Sequence, residues 1–247
     1  MALVTGGGSG LGAALCRHLA RSGWNVAIHY HSSRASVEAV LRDVASTGRE
    51  TMLLQADLGR EPDVLRLVTD FSNRFGHLEL LINNAGAYHE KAFGDLTEAE
   101  WFSEFNSTAT AVYFTTRACL PLLRASRGRI INIGDAACDR PGARSMAPAY
   151  HIGKTGVYIL TRSFAQAEAP HGVAVNLLSP GLLETSVGLG HPQEVPAGRF
   201  GTFDDLFAAV DFLTNVDTPY LTGSHLIAGG GWISFLSLLV LASITRV

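Results

Sequence analysis

Short apolar runs alternate with helix-length amphipathic stretches along this chain. The runs are apolar at successive positions, as expected for strands of a parallel sheet that is covered on both faces. We predict strands at Ala2–Thr5, Asn25–Tyr30, Thr51–Gln55, Leu78–Ile82, Arg129–Ile133, Val173–Leu178 and Ser224–Ala228. The amphipathic stretches predict helices at Leu11–Arg21, Ala35–Thr47, Pro62–Phe75, Glu98–Arg124, Ala149–Ala169 and Phe203–Thr214.

Proline and glycine support these helix boundaries. Pro62 lies in the first turn of its predicted helix, where its missing N–H breaks no hydrogen bond. Glycines follow the ends of three predicted helices, including the one that contains Pro62: Gly23, Gly48 and Gly76. Repetition of strand, helix and strand with short connections requires right-handed crossovers. The pattern predicts the α/β fold class, with a Rossmann-type doubly wound parallel sheet of about seven strands between two helical layers.

No linker or repeat interrupts residues 1–232, so we predict one domain there. The extension over residues 233–247 is strongly apolar but shorter than the roughly 20 residues that a helix needs to cross a bilayer. We interpret it as a packing or subunit-contact segment, with a membrane anchor as the alternative. The irregular stretch Gly181–Gly201, rich in glycine and proline, predicts a lid over a functional site.

The composition of the 247-residue chain, with 47% hydrophobic and 17% charged residues, suits a buried two-faced sheet. The net charge is −3 and the charges are scattered, so no basic stripe predicts a nucleic-acid partner. Cys16, Cys119 and Cys138 form no CxxC pair, which favours reduced thiols over disulfides or a zinc site. Met1 leads into an apolar strand without a signal-peptide pattern. We expect a cytoplasmic protein whose partner is a small molecule, without a membrane.

A glycine-rich turn, Thr5-Gly-Gly-Gly-Ser-Gly-Leu-Gly12, follows the first predicted strand and opens the first helix. A pyrophosphate needs backbone N–H groups at a helix N-terminus, and glycines where a Cβ atom would block its approach. Gly6, Gly10 and Gly12 occupy those positions. The turn therefore predicts a dinucleotide site.

The end of the second strand predicts which dinucleotide is bound. A site that prefers NAD usually has Asp or Glu there, for the ribose hydroxyls. This chain has His31, Ser32, Ser33 and Arg34, and its first acid is Glu38. An anionic 2′-phosphate would be bound by Arg34 and the two serines, with assistance from His31, so we predict NADPH over NADH. The alternative is that Arg34 is a solvated charge at a helix start.

Two histidines, His29 and His31, share one face of the second strand. Two histidines without a third ligand do not make a typical protein metal site. We therefore predict no metal ion here.

A tyrosine and a lysine, Tyr150 and Lys154, are four residues apart on a predicted helix and share one face. A phenol has a pKa near 10 in water, which is high for acid–base work at neutral pH. A neighbouring ammonium, together with the charge of an oxidised nicotinamide, is expected to lower that pKa. In reduction, hydride would leave the cofactor while Tyr150 protonates the developing oxyanion or amide nitrogen. Lys154 would also hold the nicotinamide ribose.

From Ala2 to about Trp232 the chain resembles the short-chain dehydrogenase/reductase family. The matching motifs occur in the family order, which makes the set specific although each piece is short. They are Thr5–Gly12, Asp57-Leu58, Asn83–Gly86, Asn106, Tyr150–Lys154 and Pro180-Gly181.

The resemblance implies a role for each matched residue. Asp57 would accept from the adenine amino group and the backbone of Leu58 would support the ring, although Asp57 could instead form an Asx turn. Asn106 would hold a water that relays protons to Lys154. Pro180–Thr185 would cover the nicotinamide, with Thr185 near its carboxamide. The implied cofactor-binding set is Thr5, Gly6, Ser9, Gly10, Leu11, Gly12, His31, Ser32, Ser33, Arg34, Asp57, Leu58, Asn84, Ala85, Gly86, Lys154, Pro180, Gly181, Leu183 and Thr185.

One departure from the family concerns the serine that normally precedes the tyrosine by about 13 positions, a spacing that the resemblance implies. Asp135 occupies that slot, and an ionised aspartate accepts hydrogen bonds and favours substrates that present N–H groups. Cys138 is the second candidate, and Ser145 could substitute if the loop folds differently.

An aspartate in this slot is similar to the pteridine reductases, in which an aromatic residue stacks on the pterin. Tyr88 would fill that role, or it packs as an ordinary loop aromatic. Against this branch, Gly86 stands where those enzymes tend to have serine, and Ser9 where they have a basic residue. The chain is equally similar to 3-oxoacyl-[acyl-carrier-protein] reductases.

A last departure is Gly229, which replaces the usual aspartate of the final strand. Family members are commonly tetramers, so the resemblance implies a homotetramer or dimer that buries the apolar extension.

These residues predict an NADPH-dependent reductase of a carbonyl or imine, with a pterin or a 3-oxoacyl thioester as possible substrate. The catalytic set would be Tyr150, Lys154, Asn106 and Asp135, and the substrate would contact Tyr88, Asp135 and Tyr150. The alternative is a catalytically silent dinucleotide-binding sensor or scaffold, which the replaced serine suggests.

Overall fold

The computed structural model describes residues 1–140, 142–215 and 218–232. Seven parallel strands form one sheet in the order β3-β2-β1-β4-β5-β6-β7. The strands are β1 (Ala2–Val4), β2 (Val26–Tyr30), β3 (Thr51–Gln55), β4 (Leu80–Asn83), β5 (Arg129–Ile133), β6 (Ala174–Pro180) and β7 (His225–Ala228). The helices are α1 (Gly10–Arg21), α2 (Arg34–Ala45), α3 (Glu61–Phe75), α4 (Glu98–Phe105), α5 (Ala111–Ser126), α6 (Pro148–Glu168) and α7 (Phe203–Asn215).

The strand order reverses at β1, which pairs with β2 on one side and with β4 on the other. Val4 lies opposite Ile28 and Ile82, so the three strands end at nearly the same level. In open parallel sheets, ligands bind in the crevice beyond the carboxyl ends of the strands at such a reversal. The topology therefore places the glycine-rich turn and the end of β4 side by side.

The core consists of two apolar layers, one on each face of the sheet. Val4 packs into the layer under α1, α2 and α7, which includes Leu15 and Val210. Its neighbour Leu3 packs into the opposite layer, with Phe71 and Leu123. Helices cover both faces of the sheet, as the unbroken apolar runs predicted. Leu3 and Val4 of β1 and Leu81 and Ile82 of β4 are therefore all buried.

The predicted fold class, with seven strands, is confirmed, and the predicted element boundaries agree within two residues with one exception. The stretch Glu98–Arg124, predicted as one helix, is interrupted by a π-helical turn at Asn106–Thr110. Thr108 Oγ1 donates to the carbonyl of Glu104 at 2.7 Å and to that of Phe105 at 3.1 Å. Such back-bonding by a threonine competes with the backbone ladder and widens the turn.

The predicted lid Gly181–Gly201 contains a short 3₁₀ helix at Pro192–Glu194, and a bridge between Leu183 and Gly201 closes its base. Along the described ranges, none of the helices is both long and apolar enough to cross a bilayer. The apolar extension 233–247 lies outside the described residues.

A close contact between α6 and the π-helical turn involves Gly153, which lies between Tyr150 and Lys154. A Cβ atom at Gly153 would overlap Thr108 Oγ1, which is buried and already hydrogen-bonded. Only a residue without a side chain allows α6 to pack at this distance. The spacing of α6 from α4 and α5 therefore depends on this glycine.

We predict that Gly153→Ala lowers the free energy of unfolding by roughly 1–3 kcal/mol, because an added methyl group overpacks this contact. Urea denaturation measures the change. Gly94→Ala is the matched control, since a Cβ atom there meets nothing within 4 Å and should change stability by less than about 0.5 kcal/mol. Equal stabilities of the two variants would contradict the packing argument.

Candidate active site

The glycine-rich turn is fastened to the end of β4 by two polar side chains. Thr5 Oγ1 accepts from the backbone N–H of Asn84 at 2.9 Å and from that of Ala85 at 3.0 Å. Asn84 returns a bond from Nδ2 to the carbonyl of Thr5 at 3.0 Å. Both side chains satisfy backbone groups that the sheet leaves open beyond its last pair. The turn and the segment Asn84–Gly86 therefore form one rigid floor.

The glycines of this turn meet different requirements. Gly6 has a left-handed backbone with φ +65°, and a Cβ atom there would lie 2.9 Å from Ala85 Cα. A Cβ atom at Gly12 would overlap the carbonyl of Gly6. Gly10, with φ +51°, faces open space. The first two glycines allow the turn to pack, and the third leaves room above the N-terminus of α1.

The open N-terminus of α1 fits a pyrophosphate. Ser9 precedes the helix, but its side chain makes no capping bond, so the first N–H groups of α1 face outward. They border an open pocket of about 470 Å³, whose lining includes Gly8, Ser9, Gly10 and Thr185. Unpaired N–H groups and the helix dipole attract an anion. Ser9, Gly10, Leu11 and Gly12 would hold the pyrophosphate here.

His29 holds the turn from below, a role that the sequence did not indicate. Its buried Nδ1 accepts from the backbone N–H of Gly6 at 3.1 Å, so Nε2 carries the proton and donates to the carbonyl of Ala56 at 3.0 Å. Burial lowers the pKa of His29 to about 4, so the ring is neutral at physiological pH. Within the described residues, no group of three His, Cys, Asp or Glu side chains could hold a metal ion.

The residues predicted to select NADPH lie together at the end of β2. His31, Ser32, Ser33 and Arg34 are all exposed. Arg34 Nε donates to Glu38 Oε1 at 2.9 Å, and this ion pair raises the pKa of Arg34. The Arg34 side chain is 72% exposed, so it remains accessible to a ligand beside the turn.

Asp57 forms the Asx turn that the sequence left as an alternative to adenine binding. Its Oδ1 accepts from the backbone N–H of Gly59 at 2.9 Å. Leu58 is buried against the layer that contains Phe71. His29 bonds both to Gly6 in the glycine-rich turn and to the carbonyl of Ala56 at the end of β3. The short loop after β3 therefore lies next to that turn.

The loop after β6 begins with a close backbone contact. A Cβ atom at Gly181 would lie 2.6 Å from Gly229 Cα, so this close approach requires a glycine at 181, whereas nothing in the contact explains why Gly229 replaces the usual aspartate. The backbone N–H of Leu183 donates to Ser186 Oγ at 3.0 Å. Because Thr185 lines the same pocket as Gly10, the segment that starts at Pro180 borders the open N-terminus of α1.

Tyr150 and Lys154 lie on the first two turns of α6, at the carboxyl end of β5. Lys154 Nζ is buried, donates to the carbonyl of Ile133 at 2.7 Å and lies 5.5 Å from the centre of the Tyr150 ring. Burial lowers the pKa of Lys154 to about 8, against an opposing effect of Asp135. The amine therefore changes charge close to neutral pH.

The expectation that Lys154 and an oxidised nicotinamide together lower the pKa of Tyr150 concerns the complex with the cofactor, and in the protein by itself the pKa moves in the opposite direction. Burial raises the pKa of Tyr150 above its usual value, and the negative charge of Asp135 raises it further. Loss of solvation penalises the charged phenolate and is the largest of the effects on this pKa. The phenol is consequently protonated over the physiological range.

Asp135 lies in the loop after β5 and acts on both groups. Its charge is the largest side-chain influence on Tyr150, and its Oδ1 accepts from the backbone N–H of Ala137 at 2.9 Å. Cys138 is buried, with Sγ 3.7 Å from Ser179 Oγ, and burial raises the pKa of its thiol. Ser145 is exposed in the segment before α6.

A chain of three side chains fastens the Asp135 loop to β6 and β7. His225 Nε2 lies 2.7 Å from Ser179 Oγ, and His225 Nδ1 lies 3.6 Å from Asp139 Oδ2. The contacts run from serine to histidine to aspartate, as in the catalytic triad of a hydrolase. Ser179 is completely buried, however, and cannot reach a substrate. The chain is therefore structural. Its members are far apart in the sequence, so no local signal indicated it.

Tyr88 and His151 border Tyr150. The Tyr88 ring meets the Tyr150 ring edge-to-face with centres 5.1 Å apart, and Tyr88 is 40% exposed. The His151 ring centre lies 5.3 Å from that of Tyr150, and burial lowers the pKa of His151. The place of His151 inside the Tyr150–Lys154 motif is a signal that is visible in the sequence.

Asn106 is the first residue of the π-helical turn. Its Oδ1 accepts from Thr110 Oγ1 at 3.2 Å. A Cβ atom at Gly59 would lie 3.0 Å from Asn106 Cβ, so the loop after β3 packs against this turn. Asn106 is therefore partly enclosed at the side of the sheet on which α6 carries Lys154.

Most of the chain matches one protein family. A family model described as short chain dehydrogenase matches residues 1–193. The 3-oxoacyl-[acyl-carrier-protein] reductase FabG of Staphylococcus aureus is 30% identical over 241 residues, which cover 93% of this chain and 96% of that protein. The acetoacetyl-CoA reductase of Allochromatium vinosum is 32% identical over 241 residues, which cover 94% and 97%.

Solved structures are similar in fold along almost the whole chain. A short chain dehydrogenase from Burkholderia cenocepacia in complex with NADP has a TM-score of 0.84 at 29% identity, covering 93% of this chain and 96% of that one. A blue fluorescent protein from a metagenomic library in complex with NADPH has a TM-score of 0.84 at 28% identity, covering 94% and 97%.

We predict that His29 makes stability depend on pH between about 6.5 and 4. In the unfolded chain histidine binds a proton below about 6.5, whereas folded His29 does so only near pH 4. The unfolded state therefore binds more protons in this window, and stability falls as the pH falls, by roughly 3 kcal/mol in total.

Urea denaturation at several pH values between 7 and 4 tests this prediction. His29→Gln cannot titrate, so its stability should lose less than that of the wild type over the same window. His31→Gln is the control, because the side chain at 31 is exposed and should leave the pH dependence unchanged. Parallel curves for wild type and His29→Gln would contradict the role of His29.

Proposed function

This chain belongs to the short-chain dehydrogenase family, and we propose that it is an NADPH-dependent reductase that transfers hydride to a C=O or C=N bond. The observation that carries the proposal is the buried amine of Lys154, fixed to the carbonyl of Ile133 beside the Tyr150 ring. Burying a lysine costs stability even when its amine is hydrogen-bonded, so a buried lysine with a shifted pKa is a candidate for a functional role. In the proposed complex it would lie between the proton donor and the nicotinamide.

Each residue of the site would have a different role in the reaction. When bound, the cofactor supplies the hydride. Tyr150, whose raised pKa keeps it protonated, donates its proton to the oxygen or nitrogen that gains negative charge. Lys154 stabilises the phenolate that remains, and its pKa of about 8 allows it to pass a proton on. Asn106 would hold the water that returns a proton to Lys154.

We propose NADPH as the cofactor because a cation and three hydroxyl or imidazole groups surround the end of β2. Arg34 can bind a 2′-phosphate with charge-assisted hydrogen bonds, which are the strong ones. Ser32 and Ser33 are exposed beside it, and two solved structures of similar fold were obtained with NADP or NADPH. The ion pair with Glu38 competes with the phosphate for the guanidinium.

For the substrate we propose a 3-oxoacyl thioester first. The relatives named 3-oxoacyl-[acyl-carrier-protein] reductase and acetoacetyl-CoA reductase support it, since both span nearly the whole chain. A pterin-type C=N substrate is the second candidate. Asp135 beside Tyr150 favours a heterocycle that donates N–H bonds, and the half-exposed ring of Tyr88 could stack on it.

We also propose a homo-oligomer, a tetramer or a dimer. Ile152 and Ile159 are 50% and 57% exposed on α6, and Phe212 is 50% exposed on α7. Ile152 and Ile159 are seven residues apart and so share one face of α6, and contiguous exposed apolar surface commonly marks an interaction site. Sedimentation velocity on the full chain decides between a monomer and these assemblies.

We predict that Tyr150→Phe lowers the turnover number by roughly 10²–10⁴-fold, the usual contribution of a positioned proton donor. NADPH binding should persist, because the phenol does not touch the glycine-rich turn. Tyr113→Phe is the control for loss of an exposed phenol elsewhere.

The assay uses NADPH with acetoacetyl thioesters, diketones, quinonoid pterins and dihydrofolate. Turnover of thioesters supports the first substrate candidate, and turnover of pterins supports the second. NADPH binding without turnover of any compound would favour the silent sensor. Full turnover by Tyr150→Phe would overturn the mechanism.

We predict that Arg34→Ala reduces the preference for NADPH over NADH by roughly 10- to 100-fold, because one charge-assisted contact to the 2′-phosphate is lost. Glu38→Gln should strengthen NADPH binding, since it frees the guanidinium. Arg42→Ala, on an exposed position of the same helix, is the control and should change neither cofactor. The ratio of kcat/KM for the two cofactors measures the effect; an unchanged ratio in Arg34→Ala would show that Arg34 is only a solvated charge.

A further inference from the structure

A carboxylate on α4, Glu104, is completely buried although carboxylates are rarely found inside a protein without partners. Neither the motifs nor the proposed mechanism uses it. Its helix ends at the π-helical turn, and the residue after Phe105 is Asn106. Such a group needs an explanation in terms of what its two oxygens bind.

The first oxygen binds the segment that carries Tyr88. Glu104 Oε1 accepts from the backbone N–H of His89 at 2.6 Å and lies 3.4 Å from His89 Nδ1. His89 directly follows Tyr88, so this bond fixes the backbone at the base of the Tyr88 side chain. A short bond to a charged acceptor is stronger than one between neutral groups.

The second oxygen binds the first turn of α6. Glu104 Oε2 accepts from the backbone N–H of Tyr150 at 3.0 Å. The residue before the helix is Ala147, which has no side-chain group to cap the open N–H groups, and it adopts a left-handed φ of +44°. Glu104 thus supplies from α4 the cap that α6 lacks locally, and its charge suits the positive end of the helix dipole.

The segment that follows Tyr88 and the segment that precedes Tyr150 are also joined by hydrogen bonds between their backbones, further from the two tyrosines. Ala147 donates to the carbonyl of Lys91 at 2.9 Å, and Phe93 donates to the carbonyl of Ser145 at 2.9 Å. Glu104 closes the inner end of this pairing, where the rings of Tyr88 and Tyr150 meet edge-to-face. The carboxylate therefore spans the two walls of the proposed substrate site.

We propose that Glu104 is a positioning residue: its two oxygens hold the backbones of His89 and Tyr150 at a fixed separation and so orient the Tyr150 phenol for proton transfer. The inference rests on the proposed reductase function. Orientation of a reacting group contributes strongly to catalysis, and a displacement of about 1 Å costs on the order of 100-fold in rate. Glu104 itself touches neither the substrate nor the cofactor.

Three variants test the inference in the full-length protein. Glu104→Gln keeps the shape but has one carbonyl oxygen, so its amide NH₂ must face one of the two backbone donors. Glu104→Asp keeps the charge and both oxygens on a side chain that is shorter by one methylene. Glu98→Gln is the control, because it removes a carboxylate from an exposed position in the first turn of the same helix.

The first measurement is single-turnover reduction at saturating NADPH, normalised to the number of NADPH sites found by fluorescence titration. Glu104→Gln should slow hydride transfer roughly tenfold or more, with one NADPH site per chain and an NADPH affinity within about twofold of the wild type. Glu104→Asp should restore part of the rate, and Glu98→Gln should equal the wild type.

The second measurement is amide hydrogen exchange, which requires no substrate. In Glu104→Gln, whichever of the His89 and Tyr150 amides faces the new NH₂ group loses its acceptor and should exchange about tenfold faster than in the wild type. Unchanged exchange at both amides, or an unchanged hydride-transfer rate, would overturn the inference.

A loss of NADPH sites in proportion to the lost rate would also overturn it, because the carboxylate would then serve folding alone. If Glu104→Gln does not fold, Glu104→Asp replaces it in both measurements, with slower transfer and faster exchange expected at both amides. A wild-type protein that binds NADPH but reduces nothing refutes the proposed function, and hydrogen exchange then decides separately whether Glu104 holds the two segments.

Discussion

The parallel pairing of β1 with both β2 and β4 is the constraint on which the rest of this structure depends. Because the three strands end at nearly the same level, their open backbone groups must be satisfied within a few ångströms of one another. Thr5 and Asn84 satisfy those between β1 and β4, and His29 satisfies those between β2 and the turn. Hydrogen bonds from both neighbouring strands fix the resulting floor, which leaves the N-terminus of α1 open for an anion.

The chemistry on the other side of this floor depends on buried polar groups that come from distant segments. Lys154 is held by a carbonyl of β5, and Tyr150 is held at its own backbone by Glu104. The Asp135 loop is fastened through Asp139 and His225 to Ser179. Each of these groups is costly to bury alone and acceptable when bonded, so the network specifies one arrangement of the site. The shift of Lys154 toward neutral pH and the opposite shift of Tyr150 are consequences of that burial.

Most of the fold could be predicted from local pattern, because apolar runs and helix periodicity report burial on one or two faces directly. The exception at Asn106–Thr110 arises because a single buried threonine, Thr108, competes for backbone carbonyls, which periodicity does not record. The glycine-rich turn and the Tyr150–Lys154 pair could also be predicted, because their function depends on spacing within one segment. The rise in the pKa of Tyr150 in the protein by itself could not be predicted in this way. It is caused mainly by desolvation, which depends on burial by segments that are distant in the sequence.

The sequence by itself determined the elements, their order, the dinucleotide turn and the chemical identity of the reacting pair, because each follows from residues within a few turns of one another. Only the tertiary structure decided that His29 supports the turn, that Asp57 forms an Asx turn, that Cys138 packs against Ser179 and that Glu104 caps the helix of Tyr150. The physical reason is that hydrogen bonds between segments 15 to 46 residues apart, such as those of Glu104, leave no periodic trace in a chain. They exist only once the sheet has brought the strand ends together.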